Sequence, residues 1–293
     1  MKHSSPVHAL LAVAIALAAT SAHAQSSQMS DPDVLGIKLG MKRPEVLALI
    51  KGKFQGSKMT STMREVMLGG ADLMYDAQVR VALAQSKRAN VEEDILTLVF
   101  LPNDELLGIR RQIRYVPHMQ KGFDVSNALA AKYGNFVYYV YDDQTRFADQ
   151  AMWSNTMLPG LSLVGTQYVQ GGNISSNDFG TTQPYPYCWS EMMNYVGEQF
   201  DPLQMYYNLT DRSAVALNRA KQWKACGKAL WVMNGHESKL TYYNTHTDLI
   251  LMDLSRAPDD ILNMPQMLKD NPKTTYAKPI TQFPKASPDT PSF

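Results

Sequence analysis

Asp94–Val116, DILTLVFLPNDELLGIRRQIRYV, is the stretch whose reading decides the fold. Asp94 to Leu101 is apolar and rich in β-favouring side chains, and Pro102-Asn103-Asp104 is a turn signal. Leu106 to Val116 then alternates apolar with basic residues, the period of a half-buried strand. The three pieces predict a β-hairpin, hence an antiparallel pairing and not a strand–helix–strand crossover.

Upstream, Asp33–Phe54, DVLGIKLGMKRPEVLALIKGKF, is the most patterned segment. Gly36 and Gly40 bracket Ile37 and Leu39 around Lys38, which predicts a very short strand between two flexible points. Pro44 suits a first helical turn, where its missing N–H costs nothing, and Glu45 puts negative charge at that helix end. Val46, Leu47, Leu49 and Ile50 supply one apolar face, and Gly52 is expected to stop the helix.

Downstream, Asp124–Lys132 predicts a helix closed by Gly134, and Phe136–Tyr141 a strand. Ala71–Arg88 is compatible with strand or helix. Cys188–Phe200 and Asp211–Lys221 read as helices, Lys228–Asn234 and Leu249–Leu254 as strands, and Gln170–Pro186 as a long polar loop. Strands in hairpins with occasional helices predict an α+β fold of antiparallel sheets with a few short helices packed on them. The expected organisation is a signal peptide at 1–24, modules at 33–145 and 146–264, and a proline-rich disordered tail at 265–293.

The leader carries the expectation for compartment. Lys2 precedes the apolar run Ala9–Ala19, and Ala22-His23-Ala24 offers small residues where a signal peptidase reads them. Eleven apolar residues are too few to span a bilayer, so no transmembrane segment is expected and the product is expected to be periplasmic or secreted. Cleavage after Ala24 removes one base and no acid, leaving 27 basic against 27 acidic residues. A chain without net positive charge is a poor match for nucleic acid. Cys188 and Cys226 are the only cysteines, and in an oxidising compartment they are expected to form a disulfide closing a 38-residue loop. The rival reading is a reactive thiol, near Lys224 and Lys228.

The run Gly36–Val46, GIKLGMKRPEV, together with the hairpin and Leu129–Asn135, LAAKYGN, resembles the opening module of uncharacterised exported bacterial proteins. It is similar to the outer-membrane assembly lipoproteins of the BamE (SmpA/OmlA) type and to β-lactamase-inhibitor-like modules. The resemblance implies two small helices on a short antiparallel sheet and transfers no catalytic residue. Lys42 stands where that pattern prefers a capping Ser or Thr, and no lipobox accompanies the leader.

Chemistry-bearing patterns are sparse. His236, His246 and Asp248 would serve as metal ligands if their segment folded into a hairpin that brought them together, though the spacing fits no standard zinc signature. Met59, Met63 and Met67, four apart, would form a thioether face for Cu(I) on a helix, with packing as the ordinary alternative. Gly160-Leu161-Ser162 has half of a nucleophile elbow and lacks the closing glycine. Tyr185, Tyr187, Trp189, Tyr195, Tyr206 and Tyr207 crowd one segment beside the polar loop, as on recognition surfaces or in a core. The function expected is therefore non-enzymatic and without cofactor: an exported protein binding an envelope protein or a small ligand. A hydrolase with dispersed residues, and an inhibitor of an exported enzyme, are the alternatives.

Overall fold

The computed structural model describes residues 29, 31–68, 71–84, 89–134, 138–142, 148–156, 223–237, 243–271 and 275–276. The predicted hairpin is its centre: β5 (Val91–Phe100) pairs antiparallel with β6 (Leu106–Tyr115), with Leu98 opposite Ile109 and Leu96 opposite Arg111. The turn closes because Asn103 Oδ1 accepts the Glu105 N–H at 3.0 Å while Asp104 adopts a φ of +64°. Asn and Asp tolerate such local bonding and left-handed backbone better than other non-glycine residues.

Around this hairpin the described residues build a nine-stranded antiparallel sheet, most of it in the order β11-β4-β5-β6-β10-β9-β8-β7, with β3 also paired to β4. Its members are β3 (Lys58–Leu68), β4 (Ala71–Ala82), β7 (Tyr138–Asp142), β8 (Ala148–Ser154), β9 (Lys228–His236), β10 (Asn244–Asp253) and β11 (Thr275–Tyr276). β10 lies between β6 and β9, so strands from 33–145 and from 146–264 share a single sheet. A separate two-stranded ribbon joins β1 (Asp33–Val34) to β2 (Ile37–Lys38).

The apolar face of the sheet follows from alternation. Leu96, Leu98 and Phe100 on β5, Ile109 on β6, Leu249 and Leu251 on β10 and Leu230 and Val232 on β9 join one buried cluster. Val46 and Ile50 of α1 (Arg43–Lys53), both fully buried, enter the same cluster, each contributing roughly 1.5–3 kcal/mol of burial. Tyr133 of α2 (Gly122–Tyr133) enters it as well, and its hydroxyl donates to the Asp33 carbonyl at 2.7 Å. Trp153 Nε1 donates to Gly134 O at 2.8 Å, tying the end of α2 to β8. On the other face Val99, Ile250, Met252, Trp231 and Met152 are also buried. Among the described residues no helix is long and apolar enough to cross a membrane.

Three expectations are corrected. Gly52 does not end α1, which runs through it to Lys53; in a helix already held by Val46 and Ile50 one interior glycine is affordable, at about 1 kcal/mol. Met59, Met63 and Met67 lie on strand β3 and not on a helix. A register shift falls between Thr62 and Met63; Met59 packs against the core while Met63 is 46 % exposed, so these two do not share one face. The proline-rich tail does not begin at 265: α4 (Met264–Asp270) follows α3 (Ala257–Leu262), with Met264 and Leu268 buried. Pro265 sits in the first turn of α4, where a proline is tolerated. Beyond it Thr275 and Tyr276 pair with Met74 and Leu73. As expected, Lys42 offers no acceptor at the start of α1. Glu45 Oε2 accepts the Lys42 N–H at 3.1 Å instead, half of a capping box.

Candidate functional site

A cleft of about 170 Å³ opens where the hairpin turn meets the ends of β2, β9 and β10. Its apolar lining is Leu39, Leu101, Leu106 and Leu107; its polar lining is Glu105, Lys228, Asp253, Arg256 and Asp260. Backbone bonds fix the wall. Gly40 N–H donates to Leu106 O at 2.9 Å, Leu106 N–H to Met41 O at 3.0 Å, and Arg43 N–H to Asp104 O at 2.9 Å. Gly40 takes a φ of +81°, a conformation that lets the chain leave β2 and fold against the hairpin. Arg43 locks the same junction, with its Nε 2.8 Å from Asp104, one terminal nitrogen 2.9 Å from Asp76 and its guanidinium 4.2 Å from the Phe100 ring centre.

The opposite wall is the turn after β10. Asp253 Oδ1 accepts bonds from Ser255 N–H at 3.1 Å, from the Ser255 hydroxyl and from Arg256 N–H at 3.3 Å, which bends the chain into α3. That bend delivers Arg256 across the cleft, 3.0 Å from Glu105 Oε2 and 3.1 Å from Asp260 Oδ2. Lys42 Nζ approaches the other Glu105 oxygen at 3.3 Å. Lys228 Nζ is held from outside by Asp31 at 3.0 Å.

The two outer carboxylates titrate in opposite directions. Burial alone would raise Glu105, but hydrogen bonds from Arg256 and Lys42 outweigh it and hold its carboxyl below the usual range. Burial raises Asp260, and the nearby charges of Glu105 and Asp253 push the same way against the single cation Arg256. The cleft thus has three carboxylates for two cationic side chains in its lining, and its charge is not balanced internally.

The predicted metal ligands do not come together. His246 and Asp248 lie on one face of β10, opposite Gly235 and Met233, whereas His236 falls on the face of β9 that carries Val232 and Leu230. The hairpin anticipated from sequence exists, but strand alternation sends the two histidines to opposite sides. Asp248 is consumed by Arg110, whose Nε lies 3.0 Å and 3.1 Å from the two carboxylate oxygens in a fork with side chains 8 % and 16 % exposed. The neighbouring Arg111 points to the other face and grips Asp94 at 2.9 Å and 2.7 Å. His246 lies over Gly235, and burial pulls its imidazole below the usual histidine range against the opposing pull of Asp248. His118 Nδ1 sits 2.8 Å from Glu237 at the surface. Among the described residues no group of three or more His, Cys, Asp or Glu side chains is arranged to hold a metal ion.

Cys226 is fully buried in the turn entering β9, where its carbonyl accepts the Ser154 hydroxyl at 2.9 Å. Cys188, the aromatic residues Tyr185, Tyr187, Trp189, Tyr195, Tyr206 and Tyr207, the leader at 1–24 and the Gly160 segment lie outside the described residues.

Sequence reasoning missed Glu105, Asp253, Arg256 and Asp260. Their one local signal is Asp253-Leu254-Ser255, an acid two residues before a serine at a strand end, which is an Asx-turn pattern. No family model, curated protein or solved structure matches the chain.

Proposed function

We propose that this chain is an exported, non-enzymatic binding protein whose recognition site is the cleft between the hairpin turn and α3, and whose partner is another envelope protein. The observation that carries the reading is the size and lining of the cleft. At about 170 Å³ it is smaller than the roughly 300–1,000 Å³ of pockets that enclose a whole small molecule, and it matches one side chain of a partner. Four leucines supply apolar contact, and the charged rim supplies orientation. The leader-like Ala9–Ala24 supports export, as does the likeness of Gly36–Val46 to exported modules. On the same reading Cys188 and Cys226 form a disulfide.

Leu39 is half-buried on the cleft wall, so Leu39→Trp fills the space without opening the core. Immobilised wild-type chain is expected to retain a defined protein from periplasmic extract, and Leu39→Trp to lose it. Equal retention by both forms, or by neither, contradicts the assignment of the cleft.

A further inference from the structure

Asp253 is only 9 % exposed, lines the cleft, and spends all its described hydrogen bonds through Oδ1. Among the described residues its Oδ2 has no hydrogen-bond partner and is not shut away from solvent, so it is open to an incoming donor. Across from it Asp260 gives Oδ2 to Arg256, and its Oδ1 has no described bond. The lining holds an excess of one negative charge, and Lys228, the second cation, is turned toward Asp31. Beneath these acids lie Leu39, Leu101, Leu106 and Leu107.

Resting on the cleft as the recognition site, we infer that the group it takes is a primary ammonium on an aliphatic stem, with the nitrogen between Asp253 Oδ2 and Asp260 and the stem against the four leucines. An ammonium offers three donors, enough for both carboxylates and one water. The volume suits the stem: an engineered apolar cavity of about 150 Å³ admits benzene. A carboxylate ligand would have to face three acids, and a guanidinium would compete with Arg256, one terminal nitrogen of which already bridges Glu105 and Asp260. The same chemistry is offered by a free alkylamine and by a lysine side chain of a protein, and the test separates them.

The purified chain is titrated by NMR with n-pentylammonium, with pentanoate, and with acetylated, amidated Gly-Lys-Gly and Gly-norleucine-Gly peptides. An ammonium titrant is expected to shift the amides of Leu39, Gly40, Leu107 and Asp253 saturably, with tighter binding by the peptide or by the free amine identifying the source. Asp253→Asn, which keeps the Oδ1 acceptor of the turn, is expected to weaken that binding about tenfold, as loss of one charge-assisted contact should. Asp260→Asn serves as the second variant, and unchanged spectral dispersion shows that each is folded. Shifts with pentanoate or the norleucine peptide as large as with the amines overturn the cation assignment while leaving a binding cleft. No shift with either ammonium titrant, or wild-type affinity in both Asn variants, overturns it outright, and the Leu39→Trp capture judges the cleft independently.

Discussion

Replacing Asp248 by alanine separates a structural carboxylate from a catalytic or metal-binding one. In the folded chain Asp248 receives the Arg110 fork in a site where the two side chains are 8 % and 16 % exposed. Removing one member of a buried pair costs about 3–5 kcal/mol, because the remaining charge keeps its desolvation without its partner. The slight exposure of Arg110 gives it some access to water, which places the loss near the low end, about 3 kcal/mol. With a urea dependence of about 3 kcal/mol/M, the midpoint of unfolding falls by about 1 M. Replacing both residues, Arg110→Leu with Asp248→Leu, removes the stranded charge among neighbours that include Ile250 and is expected to recover most of that loss. Urea titrations followed by far-ultraviolet circular dichroism measure all three variants, and metal analysis of the same samples is expected to find neither stoichiometric zinc nor copper. A midpoint shift below about 0.3 M in Asp248→Ala, or zinc that the substitution abolishes, refutes the structural assignment.

Arg43→Ala removes bonds to Asp76 and Asp104 and the contact over Phe100 and is expected to cost about 2–4 kcal/mol; Arg43→Lys restores little of it, since an ammonium cannot span the same fork, as a midpoint comparison would show. Gly235→Ala places a methyl 2.1 Å from His246 Cε1, so the ring must swing away. NMR titration is expected to show the His246 pKa below 6.5 in the wild type and closer to it in the variant. The sign follows: a lowered folded pKa gives a stabilising contribution that is complete above the unfolded value and is lost as pH falls through the folded one. Under non-reducing conditions thiol titration is expected to find no free thiol, and Cys226→Ser to destabilise by on the order of 4 kcal/mol for a 38-residue loop; two reactive thiols in the wild type contradict the pairing.

The hairpin was legible because its signals agree: apolar run, turn residues and alternation all point to one register, with Leu98 meeting Ile109. Val46 and Ile50 were legible as an inward stripe for the same reason. β3 was not, because residues four apart share a face in a strand as well as in a helix, and the shift at Thr62/Met63 leaves no mark in composition. The separation of His236 from His246 was hidden by another parity effect: nearness along a hairpin says nothing of side until the register is known. The cleft could not be read at all. Its acids sit at Glu105, Asp253 and Asp260 and meet only when β10 is inserted beside β6, a long-range pairing with no local signature.

The most direct measurement is photo-cross-linking in exporting cells from a benzophenone amino acid at exposed Lys38, next to the cleft residue Leu39 in the chain, with exposed Ala128 of α2 as the control position. A partner polypeptide captured from Lys38 and not from Ala128, and lost in Asp253→Asn, is the predicted result. Capture from both positions alike, or from neither, contradicts recognition through the cleft.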